Sequence, residues 1–363
     1  MADRFTSMIS EEERAARHAE RAANRKKKLR ARRRKRMKQI FPVAAFSFLL
    51  IGLFVLWRIQ SIPSAPETPT EEEIDLPVAS MPELSPEDLP DGPNSAEGTV
   101  STVSIGDTID SSYAVVLDVA NESILAEKAA NTKINPASMT KVLTLLVAAE
   151  HLTESDLDKT FTITIEITDY CFVNGCSVVG LEVGETISVR EMLYGCILSS
   201  GADASLGLAN YVAGSHESFV ELMNQKLTDL GLSETSHFTN CVGLYDENHY
   251  CTVYDIAMIL KAAMDNELCR EVLNARTYDT APTEFHPEGQ TLSNWFLRRI
   301  EDRFTEDFQI VGGKTGYVVQ SGNCAASAGR DKDGHLYITV TGDASSSWRA
   351  IYDHTDLYQT YCD

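Results

Sequence analysis

Asn135-Pro136-Ala137-Ser138-Met139-Thr140-Lys141 runs without a break into Val142-Leu143-Thr144-Leu145-Leu146-Val147-Ala148-Ala149, and this stretch decides the fold. The residue before a proline is pushed out of the helical region, so Asn135-Pro136 ends one element and opens another. From Met139 to Leu152 strong helix formers follow with helical periodicity. Ser138 thus sits at the start of a helix destined for the interior, with Lys141 three residues on. Side chains at i and i+3 share a helix face, so the amine reaches the hydroxyl. A neutral lysine there can take the serine's proton. The helix N-terminus and a second cation nearby would favour both the neutral amine and a developing oxyanion, activating serine without histidine. The spacing alone is weak, since about one or two Ser-x-x-Lys matches arise by chance in a chain of this length. Its bland alternative is a capping serine beside a solvated lysine.

Outward from this helix the pattern changes. Tyr113-Ala114-Val115-Val116-Leu117-Asp118 reads as an apolar strand, Ala120 to Ser123 as a turn and Ile124-Leu125-Ala126 as a returning strand. Residues 185 to 275 read mostly as helices, among them Val189 to Leu198, Ser215 to Leu230 and Val253 to Met264. Strands return at Val311 to Val319, Asn323 to Ala328 and Leu336 to Thr341, and Trp348 to Tyr361 closes as a helix. Strands, then helices, then strands describe an α+β domain, one sheet built from both chain ends with a helical lobe inserted.

The 363 residues are 43% hydrophobic and 23% charged, the proportions of a folded protein. The net charge of −21 is split: residues 1–38 carry 15 Lys and Arg against five acids, leaving −31 on the remainder. Phosphate would repel that larger part, which excludes nucleic acid as its partner. Between the two lie 18 residues without a charge, from Ile40 to Trp57, which as a helix rise about 27 Å and match a bilayer core. An uncleaved anchor is expected here rather than a signal peptide. The apolar run is long, and the nearest small-residue site, Ser64-Ala65, is followed at once by Pro66. The basic cluster ahead of the run keeps the N-terminus in the cytoplasm and sends the rest across the membrane. Residues 61–98 hold eight of the twelve prolines among Glu, Asp and Ser, the composition of an extended stalk. The expected organisation is a basic cytoplasmic segment, 1–39, an anchor, 40–58, a stalk, 59–99, and a catalytic domain, 100–363.

All eight cysteines lie beyond the span, where disulfides persist. The local pairings Cys171 with Cys176 and Cys241 with Cys251 are expected first. Metal binding is disfavoured, because no Cys pair is spaced two apart beside a second such pair and no HExxH helix occurs. No cofactor is expected.

Two further segments complete the chemistry. Ser200-Gly201-Ala202 lies in the helical region, and Gly313-Lys314-Thr315-Gly316-Tyr317 lies on a strand whose glycines admit close backbone approach. There Lys and Thr offer a cation and a hydroxyl to a carboxylate. An ordinary edge strand with a solubilising lysine is the alternative. Taken together and in this order, the three segments resemble the penicillin-binding proteins and serine beta-lactamases. The likeness is greatest to the low-molecular-weight serine D-alanyl-D-alanine carboxypeptidases, peptidase family S11, over residues 105 to 360. His237-Phe238-Thr239-Asn240-Cys241-Val242-Gly243-Leu244 with His249-Tyr250, and Ser321-Gly322-Asn323-Cys324, extend it.

The resemblance implies a five-stranded antiparallel sheet flanked by helices, with the site in the cleft against the helical lobe. It implies Ser138 as nucleophile on the penultimate D-Ala carbonyl of a peptidoglycan stem peptide, Lys141 as general base and Ser200 as proton relay. Lys314 would supply positive field, and Thr315 and Arg349 would hold the terminal carboxylate. Backbone N–H groups of Ser138 and Tyr317, beside Gly316, would form an oxyanion hole. His237, Asn240 and His249 would shape a loop. Beta-lactam antibiotics are expected ligands, and the cell membrane of a bacterium the site of attachment. The chain would end with its catalytic domain and lack the C-terminal β domain and amphipathic anchor of many relatives, the N-terminal span replacing them. One departure stands out: the family's second motif usually ends in Asn, where this chain has Ala202 followed by Asp203. A binder without activity, or a beta-lactamase, are the competing readings. The first rests on Ala202, and the second lacks a Glu-x-x-x-Asn loop to prime a deacylating water.

Overall fold

The computed structural model describes residues 97–304 and 307–362. The expected basic segment, the membrane span and nearly all of the stalk lie outside the described residues. No described helix is long and apolar enough to cross a membrane.

The sheet has six strands among the described residues: β1 (Glu97–Ser104), β2 (Tyr113–Asp118), β3 (Ser123–Lys128) and, after the helical lobe, β8 (Phe308–Val318), β9 (Gly322–Asp331) and β10 (Leu336–Ala344). Their order is β1-β3-β2-β10-β9-β8. Neighbours pair antiparallel except β1, which runs parallel to β3. The expectation of five antiparallel strands is therefore corrected to a six-stranded mixed sheet. The added strand, Glu-Gly-Thr-Val-Ser-Thr-Val-Ser, is polar and short of apolar residues, so nothing in its pattern separates it from the stalk. It docks as an edge, held partly by Thr102 Oγ1 donating to Ile124 O at 2.8 Å.

Both faces of the sheet are covered, and the apolar run of β2 follows from this. Val115 and Leu117 face the helical lobe with Ile338 and Val340, while Ala114 and Val116 face the terminal helix with Ile310 and Ala325. The lobe contains α1 (Thr140–His151), α2 (Glu154–Leu157), α3 (Ile165–Val173), α4 (Val189–Leu198), α5 (Ala202–Ala213), α6 (His216–Asp229), α7 (Val253–Asp265) and α8 (Glu267–Asn274). Two-stranded pairs, β4 (Thr160–Thr162) with β5 (Thr186–Ser188) and β6 (Thr277–Asp279) with β7 (Thr291–Ser293), trim it. α1 is buried along most of its length, Thr140 to Ala149, which explains its lack of a polar face. α9 (Trp295–Ile300) and α10 (Ser347–Tyr361) cover the other sheet face.

The two expected disulfides are not formed. Cys176 N donates to Cys171 O at 3.0 Å, closing that turn through the backbone. Cys241 Sγ lies 3.9 Å from Ser205 O, whereas the Cys251 backbone pairs with Ile134, so the ends of that loop are anchored to different elements.

α10 is pinned by a fully buried carboxylate. Asp353 accepts from Ser111 N at 2.7 Å, Ser111 Oγ at 2.6 Å and Asp110 N at 3.1 Å. Asp353→Ala strands these donors in the interior and should lower the unfolding free energy by about 2–4 kcal/mol, measured by urea titration. An unchanged midpoint would show that α10 is held by its apolar face alone.

Candidate active site

The turn before α1 is forced into an unusual shape and locked there. Ala137 has φ +47°, a left-handed conformation that alanine avoids. Asn135 holds it, its Oδ1 accepting from Ala137 N at 3.0 Å while its Nδ2 donates to His249 O at 2.8 Å. Gly243 packs on the turn with φ +80°, where a Cβ would meet Ala137 O at 1.9 Å, so only glycine fits. Asn240 shapes that loop as expected of it: its Oδ1 accepts from the backbone N–H of Val242, Gly243 and Leu244 at 3.2, 2.7 and 3.0 Å.

His249 fastens the same loop to α1. Thr239 N donates to its Nδ1 at 3.0 Å, so Nε2 carries the hydrogen and donates to Thr140 Oγ1 at 2.8 Å. Burial pushes this imidazole down to about 3, and it stays neutral as a strut. His237 is exposed and contacts Asn248 O at 2.7 Å, away from the serine.

The clamp delivers one carbonyl to the lysine. Lys141 is buried, and its Nζ donates to Val242 O at 2.5 Å and lies 3.1 Å from Ser138 Oγ. Removal from water lowers its amine from the ordinary lysine value. Across the cleft, Lys314 on β8 is also buried, its Nζ donating to Ser200 Oγ at 2.9 Å and Thr315 O at 2.7 Å. Burial, and after it the field of Lys141, push Lys314 down to about 7.

Ser200 has φ +53° in the connection between α4 and α5, which Gly201 N closes by donating to Gly195 O at 3.0 Å. Ala202, at the departure from the family motif, contributes no polar side-chain atom, and its N–H donates to Ser177 O at 2.8 Å. The residue after it does the organising. Asp203 is buried, and its carboxylate accepts from the N–H of Val179, Gly180, Leu181 and Ala204 at 2.9 to 3.1 Å. Segment 179–181, just after the cleft-lining Ser177, hangs from this side chain. Convergence of backbone donors on one acid leaves no trace in a sequence pattern.

The cleft has a volume of about 400 Å³. It brings together Ser138, Ser200, Lys314, Thr315, Gly316 and Tyr317, with Lys141 beneath Ser138. A Cβ at Gly316 would lie 3.0 Å from Ser138 N and 2.7 Å from Cys324 Sγ, so glycine lets β8 pass against the nucleophile. β8 is the sheet's edge strand, and its unpaired edge is available for an extended chain.

Arg349 does not line the cleft, contrary to expectation. Ser347 and Ala350 of α10 do, and they share one helix face. Arg349 stands off that face, exposed, where its charge acts on Asp110 and Asp356. The arginine that lines the cleft is Arg299, from α9, together with Asn294 and Trp295. Sequence reading missed them because α9 is six residues long, too short to show a period; Asn294 before an apolar run was its one signal.

Two buried amines, each bonded to a serine at one cleft, can deprotonate a hydroxyl and stabilise an anion. Among the described residues, no cluster of three or more His, Cys, Asp or Glu side chains is arranged for a metal ion.

Comparison with known proteins points the same way. The family model D-alanyl-D-alanine carboxypeptidase, peptidase S11, matches residues 99–346. The chain is 30% identical over 237 residues to D-alanyl-D-alanine carboxypeptidase DacF of Bacillus subtilis, covering 65% of this chain and 58% of the relative. It is 30% identical over 255 residues to DacC of Escherichia coli, covering 68% and 59%. It thus spans less than two thirds of the length of these curated relatives. The crystal structure of the Streptomyces K15 DD-transpeptidase superposes with a TM-score of 0.62 at 28% identity, over 69% of this chain and 97% of that one.

Asp203→Ala removes the common acceptor of three N–H groups in 179–181. Hydrogen exchange there should accelerate and stability fall by about 2 kcal/mol or more. Unchanged exchange at 179–181 would mean that this segment is held by other contacts.

Proposed function

The chain belongs to the D-alanyl-D-alanine carboxypeptidase family, peptidase S11, and from that premise we propose that it is a serine D,D-carboxypeptidase removing the terminal D-Ala from peptidoglycan stem pentapeptides. The observation that carries the reading is the Lys141 amine, stripped of water and 3.1 Å from Ser138 Oγ.

Lys141 Nζ takes the Ser138 hydroxyl proton as Oγ attacks the penultimate D-Ala carbonyl. The backbone N–H groups of Ser138 and Tyr317 receive the oxyanion, and β8's free edge aligns the peptide. Ser200, bonded to Lys314, relays the proton that Lys141 took on to the departing D-Ala amine, which leaves Lys141 neutral again. Water then enters and gives its proton to the base, its oxygen bonds to the acyl carbon, and the base returns the proton to Ser138 Oγ as the ester breaks, freeing the shortened peptide. Lys314 supplies field throughout, and Thr315 meets the terminal carboxylate.

The 18-residue apolar run and the basic cluster before it support anchorage by residues 40–58, with the catalytic domain outside a bacterial cell. The strained ring of a beta-lactam presents the same carbonyl and carboxylate, which supports acylation of Ser138 by these drugs. A transpeptidase reading has one support, the name of the K15 relative; it differs only in an amine replacing water at the second step.

Incubating the full-length chain with a stem pentapeptide should release D-Ala, and an added amino acceptor should leave hydrolysis as the main product by mass spectrometry. Penicillin should add once to the intact mass. An adduct that persists in Ser138→Ala would refute the nucleophile.

The amines set the pH profile. Both amines lie below the ordinary lysine range, Lys314 at about 7; lowering pH protonates the base of the pair, and raising pH removes the cation. kcat/KM should therefore be bell-shaped near neutrality. A bound carboxylate raises the Lys314 value, so the alkaline limb of kcat should lie at higher pH than that of kcat/KM. Superimposable alkaline limbs would exclude Lys314 as a group that senses substrate charge.

A further inference from the structure

The end of α3 is a helix cap that brings two thiols face to face. Gly175 adopts φ +63°, its N–H donates to Phe172 O at 3.4 Å, and Cys176 N donates to Cys171 O at 3.0 Å. Two such backbone bonds around a left-handed glycine form a Schellman cap, whose outer residues bring their side chains together. Here both outer residues are cysteines, and both are free thiols. The Cys171 thiol donates to Cys176 Sγ, which pulls the Cys176 thiol below its ordinary value and pushes Cys171 up.

Accessibility divides the pair as well. Of the eight cysteines seven are buried, and Cys176 is the one that is partly exposed. It stands between exposed residues 172–175 and the exposed Ser177 and Val178, whereas Cys171 packs in the core. An accessible, ionisable thiol touching a buried one has the form of an attacking and a resolving cysteine.

The pair also acts on the catalytic base. Lys141 feels the sulfurs of Cys196 on α4, of Cys241 in the loop after α6, and of Cys176 and Cys171. Lys314 and His249 face the same amine. Burial keeps Cys196 and Cys241 as neutral thiols and His249 as a neutral imidazole, which leaves Cys176 as the sulfur whose surroundings favour a charge. Asp203 of α5 opposes that charge and Lys141 favours it. The next residue, Ser177, lines the cleft and accepts from Ala202 N at 2.8 Å.

We propose that Cys171 and Cys176 are a thiol–disulfide exchange site for low-molecular-weight disulfides of the glutathione class, and that its redox state sets the pH range in which Lys141 is a base. The consequence for turnover rests on the carboxypeptidase reading; the exchange does not. The Cys176 thiolate attacks one sulfur of the external disulfide and bonds to it, expelling the other half, which takes up the proton Cys176 had released. Cys171 then gives up its proton and attacks Cys176 Sγ, and the second half leaves with that proton. Two electrons pass from the cysteine sulfurs to the external disulfide, which departs as two thiols. The dithiol can hold a negative sulfur and the disulfide cannot. A negative sulfur stabilises the Lys141 ammonium, so oxidation lowers the Lys141 value and carries the acidic limb of kcat/KM to lower pH.

The test uses the full-length chain and oxidised glutathione. The product should be two hydrogens lighter, peptide mapping should place one bond between Cys171 and Cys176, and dithiothreitol should reverse it. Cys171→Ser should keep glutathione on Cys176 as a lasting mixed disulfide, and Cys176→Ser should take up none. A chain that stays reduced, a bond elsewhere, or glutathione retained by the parent would overturn the site. With carbon-13 at the lysine ε position, the Lys141 signal should titrate about half to one pH unit lower in the oxidised chain. Cys176→Ser should reproduce that shift without oxidant. Equal Lys141 values in the two redox states would overturn the link to the base. A chain that forms the bond and shifts Lys141 yet releases no D-Ala keeps this proposal and refutes the carboxypeptidase reading; turnover with an unmoved Lys141 does the reverse.

Discussion

Burial of two lysine amines at one cleft is the constraint on which the rest of the site depends. An ammonium taken out of water is costly, and two of them in mutual range cost more. Burial lowers both amines, and the charge of Lys141 lowers Lys314 further, so near neutrality the pair can hold a neutral amine to act as base beside a cation to act as field. Their contacts are alike: each amine reaches one carbonyl and one serine hydroxyl and no acid, Lys141 at the nucleophile and Lys314 at Ser200. A carboxylate beside either lysine would restore an ordinary ammonium and abolish the base.

The fold keeps water out by close backbone approaches. Gly243 presses on the nucleophile turn, and Gly316 brings β8 against Ser138 N. Strain at Ala137 and Ser200, both with positive φ, is the local cost of aiming the two serines into one cleft. It is sustained by Asn135, Asn240, His249 and Asp203, each a buried polar group bonded to at least one backbone atom. Such groups specify shape, because a slipped loop would strand donors in the interior.

Much of this was legible in sequence. The strands around Val115 and Val340, the buried helix after Ser138 and the three motifs were readable because apolar periodicity and rare residue combinations are local signals. What was not legible depended on three dimensions. β1 carries too little apolar character to announce itself, and it gains its place from pairing with β3. Asp203 matters through donors more than 20 residues away. That Arg349 stands off the cleft while Arg299 lines it turned on helix phase, which spacing cannot fix without knowing which face is inward. The chain offered Ala202 as a lost function, whereas the structure shows the adjacent acid fixing segment 179–181 beside the cleft-lining Ser177.

The protonation states of the two amines can be observed directly. With carbon-13 at the lysine ε position and assignment by Lys141→Ala and Lys314→Ala, NMR titration of the full-length chain follows each amine. The account predicts that the Lys141 signal titrates well below the ordinary lysine value of about 10.4 and reports a neutral amine at working pH, with Lys314 shifted in the same direction. A Lys141 signal titrating at the ordinary value would mean an ammonium beside Ser138, and serine activation by lysine could not be the basis of this site.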